Sequence, residues 1–483
     1  MIRISRAPLA ATAIRVPAPA RLPVLAATAI RLPVLAVTAV RVSALAAARL
    51  PVAAARLPVV AAGAAVCLVL TACSGAGTTA APAGSSSAPA SSGEAGAAKK
   101  GDGTLTIGTV LPQTGSLAYL GPPMFTGVNL ALKEVNEAGG VLGKPVVKYD
   151  TDSGDTTTNI ASQSADKLLT QKVDAIVGAA SSSVSESIID KITRAGVVQF
   201  SPANTSDKFT TINDRGLYFR TAPPDKLQGR VLGDLVVSDG SDTIGILAMQ
   251  DSYGSGLADQ VTETAQAAGG EVVERVDYDP KAADFSADVA KIKAKDPKAI
   301  VLIGFEETAK VVAELVKQGL TADKHKWYMV DGNMSNTNYL RMPKGTLKGV
   351  KGTIPGAAAP EAFQKKLLTV NPKLTEFTYA AESYDAVTLI ALAAEVAKDD
   401  SGAAVAARLV DVSKSGEKCT GFKECVDLVK AGKDIDYEGV SGPVDFNEAG
   451  DPAVATIGVY QYGADNKFDA AKALEYRQGN IAG

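Results

Sequence analysis

From residue 104 onward, short apolar runs alternate with longer segments whose apolar residues recur at helical spacing. Runs that predict strands occupy 104–110, 145–150, 173–179 and 197–203. The segments between them predict helices, because apolar side chains at intervals of three and four residues share one face. After Pro224 the alternation restarts, with strand runs at 243–251, 270–279, 298–305 and 327–332.

Serial strand–helix units of this kind predict an α/β fold. Helices of 10–15 residues between strands are typical of a parallel sheet that is covered on both faces. Two such series in one chain predict two Rossmann-like lobes with parallel central sheets and a cleft between them. In sheets of this type, ligands bind beyond the carboxyl ends of the strands.

The segment before residue 103 has a different composition. The apolar run 57–70 is too short to span a bilayer, which needs about 20 residues, but it has the length of a signal-peptide core. It ends in Leu70-Thr71-Ala72-Cys73, which resembles a bacterial lipobox. We therefore expect a signal peptide with an atypical repetitive extension at 1–72, lipidation at Cys73, and a disordered Ala/Gly/Ser/Pro-rich tether at 73–102.

Charge and histidine content exclude several functions. Residues 1–72 carry eight Arg and no acid, so the remainder, with 41 basic and 52 acidic residues, has a net charge of about −11. Such a surface disfavours nucleic acid. The only histidine, His325, lies between lysines and is expected on the solvated surface. No phosphate-binding loop, dinucleotide fingerprint or nucleophile elbow occurs, so we expect no enzyme, cofactor or metal.

Short motifs occur in order across about 104–465. They are Leu111-Pro112-Gln113-Thr114-Gly115, Phe125-Thr126-Gly127, Glu134 to Gly140, Gly178 with serines 181–183, Ser201 to Thr205, Tyr253-Gly254, Gly256-Leu257, Phe305, Asp331-Gly332, and Gly442-Pro443 through Asp451. This ordered set resembles the type I periplasmic binding proteins, most closely the leucine/isoleucine/valine-binding proteins of ABC transporters.

The resemblance implies two lobes joined by a three-strand hinge. On this reading, lobe 1 comprises 103–222 and 356–443, and lobe 2 comprises 223–355 and 444–483. The lobes would close on a small ligand by a hinge motion.

In the first lobe, the resemblance implies that Ser182 holds the carboxylate of an amino acid, with Ser181 beside it. Ala203, through its backbone, and Thr205 would complete the carboxylate and amine contacts. The serines follow a strand and begin a helix, where free N–H groups and the helix dipole attract anions. A plain helix cap is the alternative for these serines.

In the second lobe, Asp331 would pair with the ligand's ammonium group. The alternative is that Asp331 only forms the turn before Gly332. Leu120, Tyr253, Phe305 and Tyr379 would form the walls around the ligand side chain. The two tyrosines could equally be packing residues. The family often has an aromatic residue in place of Leu120, and its valine binders have Tyr in place of Phe305.

The sequence therefore predicts a monomeric, lipid-anchored substrate-binding protein on the outer face of the cell membrane. Its partners would be an amino acid, foremost a branched-chain one, and the permease subunits of an ABC importer. The alternatives are a ligand-sensing module of a regulatory system and a binder of an amide or other small organic acid. In that oxidising compartment, Cys419 and Cys425 should form a disulfide.

Overall fold

The computed structural model describes residues 100–481. The signal peptide, Cys73 and nearly all of the tether lie outside these residues, so those assignments stay predictions. No helix in the described part has the length and apolar character needed to cross a bilayer.

The strands divide between two large sheets and one small one. The strands are β1 Thr106–Leu111, β2 Val147–Asp152, β3 Ala175–Gly178, β4 Val198–Ser201, β5 Tyr218–Arg220, β6 Thr243–Met249, β7 Glu271–Tyr278, β8 Ala299–Ile303, β9 Lys326–Val330, β10 Lys351–Pro355, β11 Glu417–Cys419, β12 Ile435–Tyr437, β13 Val454–Gln461 and β14 Glu475–Asn480.

The α-helices of the described residues cover both large sheets. They are α1 Gly121–Glu137, α2 Ile160–Thr170, α3 Ser182–Arg194, α4 Asp225–Ser238, α5 Ser252–Ala267, α6 Ser286–Lys295, α7 Thr308–Gln318, α8 Glu361–Val370, α9 Ala380–Ala397, α10 Gly402–Val412 and α11 Phe422–Lys430.

The first sheet has the order β2-β1-β3-β4-β5, and all of its pairs are parallel. Its two faces bury separate apolar clusters, since alternate residues of a strand point to opposite faces. Val110 and Ile176 pack with the apolar residues of α2 and α3. Ile107 and Val177 belong to the larger cluster that includes α1 and α9. The sheet with these helices is the first lobe.

The second sheet has the order β14-β13-β10-β9-β8-β6-β7 and, together with α4 to α7, forms the second lobe. The centre of this sheet is parallel, as the sequence predicts, whereas β13 near its edge runs antiparallel to both β10 and β14. Strands β13 and β14 return to the second sheet after the chain has completed the first lobe. The remaining pairs of this sheet are parallel, as the strand–helix alternation predicts.

The chain crosses between the lobes three times: between β5 and α4, between β10 and α8, and between β12 and β13. The exact lobe boundaries stay a prediction. The segment 444–453, assigned above to lobe 2, contacts the first sheet, since Phe446 packs against Phe200 and Asp451 pairs with Arg220. These contacts favour a third boundary nearer Val454 than Val444.

His325 and the pair Cys419 and Cys425 illustrate what local sequence does and does not reveal. The expectation for His325 is wrong, because its side chain is buried and its Nδ1 lies 2.7 Å from the Pro297 carbonyl oxygen. Flanking lysines suggest exposure, but the turn before β9 folds the ring inward. Cys419 and Cys425 are joined by a disulfide that links β11 to α11.

Candidate functional site

A small enclosed cavity lies between the two lobes, at the carboxyl ends of their strands. We call it the inner cavity. All nine residues that the sequence singles out for ligand binding line it. The full lining is Leu117, Leu120, Ala180, Ser181, Ser182, Ala203, Thr205, Tyr253, Phe305, Asp331, Gly332 and Tyr379. The space open to the centre of a water molecule is about 10 Å³, so the lobes are closed over it.

On the first-lobe side, the amino end of α3 points at the inner cavity. Ser181 is the N-cap, and its Oγ accepts a hydrogen bond from the Val184 N–H at 3.4 Å. Ser181 therefore caps the helix, which is the alternative role given above for these serines. Ser182 has a different contact, because its Oγ accepts from the Ser206 N–H at 3.3 Å. Its buried hydroxyl proton has no acceptor among the described residues and can serve an anion at the positive end of the helix dipole.

The loop after β4 supplies Ala203 and Thr205, and a buried polar network fixes its path. The Asn204 amide donates to the carbonyl oxygens of Ala179 and Ala180, at 3.2 and 2.8 Å. The Arg220 guanidinium donates to the carbonyls of Asn204 and Ser206. These bonds tie the loop to the end of β3, so that Thr205 and Ser182 lie on the same cavity wall.

On the second-lobe side, Asp331 is buried directly after β9 and accepts three side-chain hydrogen bonds. Gln228 Nε2 and the Tyr253 hydroxyl donate to Oδ1, at 2.8 and 2.9 Å, and the Tyr379 hydroxyl donates to Oδ2 at 2.6 Å. Burial raises the pKa of Asp331, and these three donors act in the opposite direction.

Tyr253 and Tyr379 are more than packing residues, because each carries a hydroxyl that contacts Asp331. The Tyr253 ring also stacks on Phe305, with ring centres 5.3 Å apart. Tyr379 precedes α9 with a φ of 62°, in the left-handed region that large side chains rarely adopt. That backbone conformation is the one in which its hydroxyl meets Asp331.

Tyr119, which was not identified from the sequence, makes a contact across the cleft. Its hydroxyl donates across the cleft to the Gly332 carbonyl oxygen at 3.0 Å, beside the longer contact with the Asp331 carbonyl at 3.3 Å. Leu117 and Leu120, its neighbours, add apolar wall to the inner cavity.

Asp225 and Gln228, at the start of α4, were also missed. Both are fully buried, and neither oxygen of Asp225 nor the Oε1 of Gln228 has a hydrogen-bond partner in the described structure. Burial raises the pKa of Asp225 well above its usual value, as do the nearby charges of Asp207 and Asp331. The Thr205 hydroxyl faces Asp225 and lowers this pKa, but it lies outside hydrogen-bonding geometry.

The lining of the inner cavity therefore has two polar ends. Hydroxyl and helix-end donors occupy the first-lobe side, whereas the buried carboxylate of Asp331 occupies the other. Apolar walls separate the two ends. Asp225 and Gln228 lie outside the lining of the cavity. The described residues contain no cluster of three or more His, Cys, Asp or Glu side chains suited to a metal ion.

The chain is similar to two known binding proteins over most of their length. The Leu/Ile/Val-binding protein homolog 3 of Brucella melitensis is 28% identical over 346 residues, which are 68% of this chain and 90% of the relative. A chemotactic signal transduction system substrate-binding protein, BasB of Halobacterium salinarum, is 27% identical over 369 residues, which are 73% of this chain and 86% of the relative.

Among solved structures, the fold is similar to that of the branched-chain amino acid transporter substrate-binding protein LivJ of Streptococcus pneumoniae, in complex with isoleucine. The TM-score is 0.63 at 24% identity, and the match covers 78% of this chain and 99% of LivJ. The family model described as periplasmic binding protein matches residues 104–467. With three quarters of its length matched in this way, the chain belongs to the periplasmic binding protein family.

Proposed function

We propose that this protein is the extracytoplasmic receptor of an ABC importer and that it binds an α-amino acid, foremost a branched-chain one, in the inner cavity. It would bind and release its ligand without chemical turnover. The observation that carries the proposal is that one closed cavity has hydroxyl and helix-end donors at one end and the buried carboxylate of Asp331 at the other. An α-amino acid presents the complementary pair of charges.

The carboxylate of the ligand would bind at the first-lobe end. There the Ser182 hydroxyl, the Thr205 hydroxyl and the amino end of α3 all offer hydrogen-bond donors or positive potential. Hydrogen bonds to a charged group are each worth roughly 1.5–3 kcal/mol. Two or three of them offset the loss of water around the carboxylate.

The ammonium group would bind at the opposite end, near Asp331. A cation that enters a closed cavity loses its water and needs an anionic partner. Asp331 is held in place by Gln228, Tyr253 and Tyr379. An ammonium group nearby would compensate the buried charge of Asp331.

Binding at both ends would couple the ligand to lobe closure. The cleft already carries hydrogen bonds between the lobes: Tyr119 donates to the Gly332 carbonyl, and Ser183 Oγ donates to Asp251 Oδ2 at 3.0 Å. A ligand held by Ser182 in one lobe and Asp331 in the other adds contacts that only the closed state can make. It therefore shifts the population toward closure.

Thermal unfolding with a ligand panel tests the proposal. A ligand that binds only the folded state raises the melting temperature by mass action, equivalent to about 2.7 kcal/mol at a concentration one hundred times its Kd. We expect leucine, isoleucine or valine to do so, and the corresponding 2-oxo acids and amines to have little effect. A protein that responds to aromatic or aliphatic acids without an amine would contradict the amino-acid assignment.

A sensory role is the second candidate, and the similarity to BasB, the chemotactic signal transduction system substrate-binding protein of Halobacterium salinarum, supports it. The two roles share the ligand and differ in the membrane partner. Co-purification after cross-linking in native membranes would distinguish them. Permease subunits are expected in the cross-linked fraction, whereas a transducer protein there would favour the sensory role.

We place the protein on the outer face of the cell membrane, anchored through Cys73 and acting as a monomer. The described chain begins at Lys100, and Gly101, Gly103 and Thr104 donate backbone hydrogen bonds to Asp399 and Asp400. This attachment lies at the amino end of β1. The cleft lies at the opposite, carboxyl end, so a tether leaving here would not obstruct it.

A further inference from the structure

A group of hydrogen bonds joins the two lobes at the rim of the cleft, and we call its three residues the rim latch. Ser183 lies in the first turn of α3, in the first lobe, whereas Asp251 and Ser252 lie at the amino end of α5, in the second. The Ser183 Oγ donates to Asp251 Oδ2 at 3.0 Å and accepts from the Ser252 N–H at 3.1 Å. The Ser252 Oγ lies 3.2 Å from the same atom.

Asp251 contributes one carboxylate oxygen to each lobe. Its Oδ1 caps its own helix, because it accepts from the Gly254 N–H at 2.7 Å. This contact lies within the second lobe and does not depend on closure. The Oδ2 contact with Ser183 exists only when the lobes have met. Burial raises the pKa of Asp251, and the Gly254 and Ser183 donors lower it. The Ser183 hydroxyl therefore offsets part of the cost of withdrawing this carboxylate from water.

The rim latch also brings the amino ends of α3 and α5 together. Both ends carry the positive pole of a helix dipole, and two like poles repel. The Asp251 carboxylate caps α5 and contacts the first turn of α3, so its negative charge is favourable to both ends. The approach of the two helices thus depends on the carboxylate that they share.

The rim latch is separate from the inner cavity. None of its three residues belongs to the lining of that cavity, in contrast to the neighbouring Ser182. Asp251 instead lines two larger spaces in the cleft, each of which offers about 510 Å³ to the centre of a water molecule. One is bounded by 153–157 and 305–310, and the other by 206–208 and 255–260. The latch therefore bridges a wet part of the cleft, away from the ligand.

We propose that the rim latch sets the strength of ligand binding by stabilising the closed state, without contacting the ligand. Ser183 would act as a positioning residue that holds the lobes together through Asp251. Because each ligand draws on the same equilibrium between open and closed states, a weaker latch lowers the affinity for all of them. The proposal rests on the proposed function in one respect, which is that the amino acid binds in the inner cavity.

Calorimetric titration with leucine, combined with a double-mutant cycle, tests the latch. Ser183→Ala removes the shared hydroxyl. Asp251→Ser keeps an oxygen that can cap α5 but has no second oxygen for Ser183. Ser187→Ala is the matched control, because this serine lies on the same helix and bonds only the Val184 carbonyl.

We expect Ser183→Ala to weaken leucine binding by about tenfold, as for a lost hydrogen bond to a charged group. In the Asp251→Ser background, the same substitution should change the affinity by less than threefold, because its partner is already absent. The Ser187→Ala control should stay within twofold of the wild type. A Ser183→Ala affinity within twofold of the wild type would overturn the proposal. An equal loss in both backgrounds would also overturn it, because Ser183 would then act on the ligand directly.

A pair of cysteines tests the latch without reference to the ligand. Since the Ser183 and Ser252 Oγ atoms are 3.2 Å apart, sulfur atoms at these positions can bond when the lobes close. Mild oxidation of the Ser183→Cys/Ser252→Cys variant should form this disulfide, identified by peptide mapping beside Cys419–Cys425. Leucine loaded beforehand should leave the oxidised protein at least tenfold more slowly than the reduced one. Absence of the new disulfide would overturn the latch, whereas a wild type that binds no leucine, isoleucine or valine would defeat only the proposed function.

Discussion

Arg220 and Asp451 form an ion pair that is wholly buried, with Arg220 Nε 2.6 Å from Asp451 Oδ1. The two residues are 231 positions apart. The pair joins the last strand of the first sheet to the third crossover. The same guanidinium holds the carbonyls of Asn204 and Ser206, on either side of Thr205. One buried charge pair thus connects the hinge to the wall of the inner cavity.

Substitution Asp451→Ala should destabilise the protein by about 3–5 kcal/mol, because it leaves the Arg220 charge buried without its partner. Urea unfolding measures this loss. The matched control is Asp411→Ala, which breaks the exposed pair with Arg408 and should cost at most about 1 kcal/mol. A small effect of Asp451→Ala, similar to that of the control, would show that Arg220 finds other compensation.

Substitution Ser182→Ala should weaken amino-acid binding by about 1.5–3 kcal/mol, the range for a hydrogen bond to a charged group. Calorimetry measures the affinity, and circular dichroism should be unchanged. Ser187→Ala is the control, since this serine lies on the same helix and bonds only the Val184 carbonyl. Ser181→Ala should instead lower stability by about 1 kcal/mol through loss of the cap. Unaltered affinity in Ser182→Ala would remove this residue from the carboxylate site.

Substitution Asp331→Asn preserves the shape of the cavity and removes its charge. We expect it to cost an amino-acid ligand about 3 kcal/mol or more, roughly a hundredfold in affinity. The corresponding 2-oxo acid, which has no ammonium group, should lose far less. Equal losses for the two ligands would mean that Asp331 acts through the hydrogen bonds to Gln228, Tyr253 and Tyr379.

Glu382, in the first turn of α9, should make stability depend on pH. Burial raises its pKa to about 8, with a further contribution from the charge of Asp385. Between the usual glutamate pKa and 8, the folded state holds a proton that the unfolded state has lost. The free energy of unfolding should therefore be greatest at acidic pH and fall as the pH rises toward 8.

Replacement Glu382→Gln should flatten that slope between about pH 5 and 8, because glutamine has no proton to lose. Denaturant unfolding at several pH values measures it. Glu137→Gln, an exposed glutamate of α1, is the control and should keep the wild-type slope. A Glu382→Gln protein with the same slope as the wild type would assign the pH dependence to other buried acids, such as Asp174, whose pKa burial raises to about 7.

Substitution Cys73→Ala should release the protein from the membrane, because the lipid anchor requires this cysteine. Cell fractionation followed by detection of the protein measures the distribution. Cys419→Ala, which breaks only the disulfide, is the control and should stay with the membrane fraction. Equal membrane association of the Cys73→Ala variant would contradict the lipobox interpretation.

The sequence by itself determined the series of strands and helices. Its apolar positions followed periods that are set by local geometry, so 104–110 and 298–305 could be identified as strands without any tertiary information. The family resemblance then selected nine positions, and the fold brings all of them to one cavity. The antiparallel β13 and β14 could not be predicted in this way, because the direction of pairing depends on the path of the chain between the lobes.

Only the tertiary structure decided which polar groups are buried and what they contact. Asp225, Gln228 and His325 occupy polar stretches of sequence, yet the packing of α4 and of the turn before β9 removes them from water. Tyr379 gained a role because its hydroxyl meets Asp331, 48 positions earlier. Local hydropathy describes a residue's own preference for water, whereas its burial and partners depend on segments that meet only when both lobes have folded.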